Sequence, residues 1–446
     1  MPKVGFISLG CPKNLVDSEV MLGLLNQDGF DITANEQDAE IIVVNTCGFI
    51  ESAKQESIDT ILEVAQRKGN GTCRKLIVTG CLVERYRKDI MAQIPEVDAV
   101  IGTSQIPEIV NACSESLQVS DLPHYQSREA YLYSDSDPRV ITTPGYSAYL
   151  KIAEGCDHPC SFCVIPQMRG RFRSRSMESI VTEARNLASQ GTKELNLIGQ
   201  DTTMYGWDWG NTSGLAELIR GLGEVEGIEW IRVLYIYPNN VSDEFLEAVA
   251  QTPTACKYID IPLQHASSKV LKRMKRGGNR HSLSNLMKRI RTIIPEVTIR
   301  TTMIVGFPGE TPEDVKELME FVRETQFDRL GVFSYSDEEG SDAYELDGKV
   351  PEDVKEDRRR QLMELQAGIS KSKNSQLVGK VAPVLVVGVT QESEFLWEGR
   401  LPSQAPDIDG VVYLTDGVTD EVRPGDLRSV RITDAHEYDL VGTVLP

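Results

Sequence analysis

The sequence predicts a three-part α/β protein. An N-terminal parallel α/β sheet domain occupies 1–117, a linker 118–141, a central partial (β/α)6 barrel 142–375 and a small antiparallel OB-like β-barrel 376–446. Three observations predict this order. Apolar strand-like runs alternate with helical periodicity up to about residue 375, the pattern of a parallel sheet covered on both faces. A polar stretch with two prolines, Pro123 and Pro138, interrupts it. After Leu377 the helical pattern stops, and short β-type runs separated by glycine and proline follow, as in small barrels used for binding.

At 446 residues the chain is too long for one small core. Its formal net charge of -20 works against nonspecific binding to phosphate backbones and favours a basic partner. The start, Met1-Pro2-Lys3-Val4-Gly5-Phe6, runs straight into an apolar strand, so no signal peptide is expected. No run of about 18 apolar residues predicts a membrane span. The nine cysteines are an odd count with no secretion signal. They predict thiols or metal ligands in a reducing compartment, and hence a cytoplasmic location.

In the first unit, strands are predicted at 4–10, 41–46 and 76–80, and helices at 14–26 and 50–67. Cys11, Cys47 and Cys81 each follow one of these strands. Ligands of open α/β sheets bind outside the carboxyl ends of the strands. Three thiolates 36 and 34 residues apart are therefore expected to converge on one point. Taken singly, each could be a buried structural cysteine; the repeat at equivalent strand ends argues for a shared site. Cys73 and Cys113 lack that position and are read as a loop thiol and a helix thiol without a role. In the linker, Tyr125, Tyr131 and Tyr133 are expected to pack against a neighbour.

Six strand-like runs follow, at 148–152, 194–198, 230–235, 258–261, 298–305 and 330–335. A barrel of this kind carries its reacting face at the C-terminal strand ends. Directly after the first run comes Glu154-Gly155-Cys156-Asp157-His158-Pro159-Cys160-Ser161-Phe162-Cys163, a C-x3-C-x2-C arrangement. Three thiolates on a 4Fe-4S cluster leave one iron open to a small molecule. The alternative is a zinc site completed by His158, although zinc sites more often pair distant C-x2-C arms. The spacing, with Phe162 before the last cysteine, resembles the radical-SAM superfamily. The resemblance implies that S-adenosylmethionine (SAM) binds the open iron through its amino and carboxylate groups. One electron then splits its carbon–sulfur bond to give a radical able to take hydrogen from an unactivated carbon.

SAM carries a sulfonium, an adenine and ribose hydroxyls, so it needs acceptors and tight turns. Gln200, Asp201, Gln264, Arg300 and Thr302, at or near strand ends, are candidates to bind it; each could equally be a cap or turn residue. His265 is read as either a site residue or a packed polar group. Arg169, Arg171, Arg173 and Arg175 could hold the SAM carboxylate or an acidic substrate group, because guanidinium pairs with carboxylate in bidentate fashion. Lys269, Lys272, Arg273, Lys275, Arg276 and Arg280 are read as a solvated face. From Leu377 onward twelve acidic residues stand against five basic ones, a net -7. An RNA-binding barrel should be basic, so this one favours a basic protein.

The three-part order with two cysteine triads resembles the methylthiotransferases: an N-terminal methylthiotransferase domain, a radical-SAM core and a C-terminal TRAM barrel. The motifs Gly10-Cys11-Pro12-Lys13-Asn14-Leu15-Val16-Asp17-Ser18-Glu19, Asn45-Thr46-Cys47-Gly48-Phe49-Ile50 and Ile261-Pro262-Leu263-Gln264-His265-Ala266-Ser267 resemble the branch that modifies a ribosomal protein. The tRNA-modifying branch tends to carry Gln-Met-Asn after the first cysteine and Gln-Ser-Gly where this chain has Gln264-His265-Ala266. The resemblance implies two 4Fe-4S clusters, one on Cys156, Cys160 and Cys163 and a second, sulfur-carrying one on Cys11, Cys47 and Cys81. It implies SAM as both methyl donor and radical source. The substrate would be the β-carbon of an aspartate in small-subunit ribosomal protein S twelve. An electron donor such as flavodoxin or ferredoxin and a sulfur donor would be partners. The alternatives are tRNA adenosine methylthiolation and a simple iron–sulfur electron carrier.

Overall fold

The computed structural model describes residues 2–114, 131–391, 393 and 395–446. The first unit runs β1 (Lys3–Ser8), α1 (Pro12–Gln27), β2 (Asp31–Thr33), β3 (Ile41–Thr46), α2 (Glu51–Asn70), β4 (Lys75–Gly80), α3 (Cys81–Gln93), β5 (Ala99–Ile101) and α4 (Ile109–Cys113). The five strands form one parallel sheet in the order β2-β1-β3-β4-β5. The central strand β3 is buried at all six positions, as a strand covered on both faces must be. The edge strands β2 and β5 escape the sequence reading, because three residues are too few to show a period. Pro12 starts α1, where the N–H it lacks would have no partner anyway.

The joining segment is described from residue 131, so Tyr125 and positions 118–130 lie outside the described residues. Tyr131 and Tyr133 do pack inward. The Tyr133 hydroxyl donates to Glu183 at 3.1 Å, and its ring lies 3.9 Å from the Arg175 guanidinium carbon. Arg139 bridges Glu19 of α1 at 2.6 Å and Glu183 at 2.7 Å. This segment therefore ties the first unit to the second.

The second unit comprises β6 (Ser147–Lys151), β7 (Ala153–Glu154), α5 (Ile165–Arg169), β8 (Arg173–Ser174), α6 (Met177–Ser189), β9 (Glu194–Ile198), α7 (Gly214–Gly223), β10 (Trp230–Val233) and α8 (Asp243–Gln251). It continues through β11 (Ala255–Asp260), α9 (Ser268–Arg273), α10 (Arg280–Ile293), β12 (Thr298–Val305), α11 (Pro312–Thr325), β13 (Arg329–Ser334) and α12 (Glu352–Ser375). The six long strands make a parallel sheet in the order β6-β9-β10-β11-β12-β13, the expected partial barrel. Alternation along β12 shows its two faces. Ile299, Thr301, Met303 and Val305 are buried, while Arg300, Thr302 and Ile304 on the other side are only half-buried.

The outer face packs on the helices through residues such as Leu195, Leu197, Ile231 and Ile259. The inner face is filled by neighbours rather than by an opposite wall. Tyr149, Ile198, Trp230, Leu234 and Tyr258 share a cluster with Val16 and Val20 of α1 and with Leu385 and Ala405 from the C-terminal unit.

That unit is a closed barrel of β14 (Val381–Val389), β15 (Trp397–Arg400), β16 (Val412–Asp416), β17 (Leu427–Ala435) and β18 (Leu440–Val444), ordered β14-β15-β16-β18-β17. Four joints are antiparallel, but β16 and β18 run parallel. This differs from the all-antiparallel expectation. Because β17 is drawn across to pair with β14, β18 returns alongside β16 in the same direction. The barrel docks on the core through Arg400, which pairs with Glu194 at 2.5 Å. Tyr258 donates to Asp409 at 2.6 Å and Tyr149 to Asp407 at 3.2 Å. No helix among the described residues is long and apolar enough to cross a membrane.

Candidate active site

In the first sheet, strand register brings the three distant cysteines to one edge. Ser8 pairs with Asn45, Asn45 with Thr79, and Thr46 with Gly80. Cys11, Cys47 and Cys81 therefore leave three adjacent parallel strands at the same end. The loops close because they carry glycine. Gly10 has φ +87, and a Cβ there would lie 2.8 Å from that of Cys47. A Cβ on Gly48 would lie 2.8 Å from the Leu82 Cα. Asn14 ties the loops together, donating to the carbonyls of Leu9 at 2.7 Å and Thr46 at 3.3 Å.

The second triad follows β7 on one short loop. The two-residue ladder of β7 with β8 holds the base of this loop, and Cys156 N–H donates to the Gly170 carbonyl at 3.1 Å. Gly155, at φ +80, lies where a Cβ would sit 2.1 Å from the Arg171 carbonyl oxygen. Ser161 anchors the far side, donating from N–H to Met274 and from Oγ to Arg273. Arg276 points Nη1 at the Cys160 sulfur, 3.5 Å away, and donates to the Pro262 carbonyl at 2.8 Å. Phe162 packs edge-on to Phe307.

The donor sets fit iron–sulfur clusters. All six cysteines are free thiols. Burial pushes the Cys81 and Cys163 thiols up to about 12 and Cys156 up to about 11, so without iron they stay protonated. The His158 ring is fixed by its neighbours. Its Nε2 lies 2.6 Å from Asp201 Oδ2, and its ring stacks on Tyr237 at 3.6 Å. Among the described residues no three His, Cys, Asp or Glu side chains close on a single-ion position.

The two triads approach one junction through Cys81 and the residue after Cys163. Cys81 packs with Val164 and Met168, and Val164 directly follows Cys163. A buried ionic network fills the seam. Arg169 reaches Asp17 at 2.7 Å, Glu154 at 3.2 Å and Asn14 at 3.2 Å. Lys151 pairs with the same Asp17 and, at 2.8 Å, with Glu154. Burial alone would raise the Glu154 carboxyl, but Lys151 and Arg169 hold it well below the usual carboxylate range.

The candidate SAM contacts are placed as follows. Gln200 donates to Glu154 at 2.7 Å, and Gln264, at φ +72, exchanges backbone hydrogen bonds with Thr302 and Ile304. Among the described residues the Oε1 atoms of both glutamines are buried without a protein partner, so each keeps an acceptor free. Thr302 is half-buried on the inner face of β12. Asp201 caps Thr203 and holds His158. Arg300 is tied to Asp260 at 2.8 Å and to Asp409 of the barrel at 3.8 Å.

His265 is fully buried. Its Nδ1 accepts from Ser267 N–H at 2.9 Å, and its Nε2 lies 3.3 Å from Glu310. Of the first basic group, Arg169 enters the seam, while Arg175 pairs with Glu183 at 2.7 Å away from it. Of the second, Lys269, Arg273, Lys275 and Arg280 meet Asp314, Asp347, Asp342, and Glu320 and Glu324; Arg276 turns inward. Lys13, Asp17, Lys151, Glu154 and Tyr235 join the site only through the tertiary structure. A lysine inside the otherwise apolar run Ala148–Ile152 was the available signal.

Comparison with known proteins agrees with this architecture. Residues 3–102 match the model described as uncharacterized protein family UPF0004, 150–322 the radical SAM superfamily and 378–445 the TRAM domain. The fold is similar to TsrM, a radical SAM methyltransferase from Kitasatospora setae, with TM-score 0.55 and 15% identity over 75% of each chain. It is also similar to the cobalamin-dependent radical enzyme OxsB, with TM-score 0.52 and 13% identity over 82% of this chain and 56% of that one. Three domains in this order with two cysteine triads define a radical-SAM methylthiotransferase. A protein of Solibacter usitatus named ribosomal protein uS12 methylthiotransferase RimO is 56% identical over 99% of this chain and 95% of its own. Its namesake in Geobacter sulfurreducens is 48% identical over 99% and 98%. The chain belongs to the RimO family.

Proposed function

We propose that this enzyme adds a methylthio group to the β-carbon of an aspartate of small-subunit ribosomal protein uS12. The observation that carries the reading is the junction itself: two sets of three free thiols flank a seam closed by the Asp17–Lys151–Glu154–Arg169 network, with Cys81 packed against Val164. Cys156, Cys160 and Cys163 hold the cluster that works with SAM, and Cys11, Cys47 and Cys81 hold a second 4Fe-4S cluster for the sulfur. When bound, these groups supply one-electron reduction, hydrogen removal, a methyl group and sulfur, the chemistry that side chains lack. The chain's own residues orient and enclose. Gln200 and Gln264 offer their free carbonyl oxygens to SAM, with Asp201, Arg300 and Thr302 around them. The acidic barrel suits a basic ribosomal protein and argues against tRNA. The protein works in the cytoplasm with an electron donor, such as flavodoxin or ferredoxin, and a sulfur donor.

The test is one anaerobic reaction of reconstituted enzyme with SAM, sulfide and a strong reductant, offered uS12 and unmodified tRNA together. A methylthio mass gain on an aspartate of uS12 alone is expected. A gain on tRNA alone overturns the assignment.

A further inference from the structure

Lys13 is a largely buried lysine whose side chain meets no carboxylate among the described residues. Its side chain stands in the first turn of α1, two residues past Cys11, and is 8% exposed. Its Nζ lies 3.2 Å from the centre of the Tyr235 ring. The ionisable groups around it are Cys11, Arg169, Asp260 and Glu154. None of the nearby carboxylates is free to serve it. Asp17 is held by Lys151 and Arg169. Glu154 is held by Lys151, Arg169 and Gln200. Asp260 accepts from Arg300 at 2.8 Å and from the Tyr235 N–H at 2.9 Å. Among the described residues the Lys13 ammonium makes no hydrogen bond and no ion pair.

An ammonium has three donors, and a ring face satisfies one direction. The remaining donors keep some access to solvent and have no protein partner among the described residues. Tyr235 is a built wall rather than a passing neighbour. It ends the β10 run at φ +61, and its carbonyl accepts from Thr202 N–H at 3.1 Å. The ammonium is thus held over the ring with its other donors open to a ligand.

We propose that Lys13 is a carboxylate subsite: its ammonium, backed by Tyr235, binds the side-chain carboxylate of the substrate aspartate and presents the adjoining β-carbon to the junction. The proposal rests on the uS12 reading above. The reaction leaves that carboxylate intact and acts one bond away, so anchoring it fixes the reacting carbon. A carboxylate could also come from SAM, and the cluster on Cys11 is itself a source of negative charge.

The experiment uses the holoenzyme with both clusters and measures the Kd for uS12 and for uS12 with the target aspartate changed to asparagine. The Kd for SAM and the iron content are read alongside. Wild type is expected to bind the aspartate form about tenfold or more tighter than the asparagine form, the scale of a hydrogen bond to a charged group. Lys13→Met is expected to bring that ratio to about one with SAM affinity and iron unchanged, and Lys13→Arg to keep part of the preference. An unchanged ratio in Lys13→Met overturns the proposal. So does a loss of SAM affinity with the ratio intact, which gives the lysine to SAM, or a loss of iron, which makes it a counter-ion of the cluster. Wild type that modifies tRNA and not uS12 removes the underlying reading instead.

Discussion

The two cysteine triads are built in opposite ways. Cys156, Cys160 and Cys163 sit on one loop whose conformation is set within a few residues, by Gly155, the β7–β8 ladder and the Ser161 anchors. Cys11, Cys47 and Cys81 come from three strands and meet only if β1, β3 and β4 pair in register. A local triad needs a turn; a dispersed one needs a fold. The dispersed triad should therefore be the more fragile, and the seam between them should feel damage from either side.

The sharpest way to break this comparison is to attack the dispersed triad through its backbone. Gly80 has φ +99, and a Cβ there would lie 2.4 Å from Asn45 Oδ1 and 2.5 Å from the Thr46 carbonyl oxygen. Gly80→Ala is expected to lower bound iron from about eight to about four atoms per chain while SAM cleavage survives. Iron analysis with an assay for 5'-deoxyadenosine checks this. Equal loss of both clusters would mean that the triads are not independent.

The seam comes next. Asp17→Ala leaves Lys151 and Arg169 with Glu154 as their sole carboxylate partner. Breaking such a buried network costs about 3–5 kcal/mol, to be read as reduced resistance to denaturant.

The far end of the core sheet provides a contrast, since no cysteine ligand touches it. There burial would raise Glu194, but Arg400 of β15 and Arg232 of β10, with Ser147 of β6, hold it at about 2 against an ordinary 4.5. A depressed carboxyl stabilises the fold above its unfolded pKa, and that stability is lost as pH falls toward the folded value. Between pH 4.5 and 2 the protein should lose up to about 3 kcal/mol. Glu194→Gln should flatten that slope in thermal unfolding at graded pH.

The smallest effect is expected beside the local triad. Lys275 forms an exposed pair with Asp342, whereas its neighbour Arg276 faces Cys160. Lys275→Ala should change stability by less than about 0.5 kcal/mol, and Tm should barely move. A large drop would show that the surface pairs brace the cysteine loop.

Much of this was legible in the chain. The C-x3-C-x2-C run is a local signal and reads directly. The N-terminal cysteines are legible because the same event, a cysteine past an apolar run, occurs three times. The acidic character of the barrel is a count, and the six core strands are long enough to show as apolar runs. Strands β2 and β5 are too short for that, and the parallel pairing of β16 with β18 depends on where β17 goes. The basic clusters show why composition stops short. Arg175 and Arg169 look alike in sequence, yet one braces Tyr133 and the other joins two domains.

By itself the sequence determined the order of the three units, the two sets of three thiols and the family they belong to, because these depend on spacing and periodicity along one chain. The tertiary structure alone decided that Cys81 packs beside the second triad, that Asp17, Lys151, Glu154 and Arg169 close the junction, and that Lys13 has no carboxylate partner among the described residues. Those facts rest on contacts between residues far apart in the chain, such as Asp17 with Lys151 and Arg169, or on the lack of one. No local pattern encodes a contact whose partner is chosen by how two sheets and a barrel pack together.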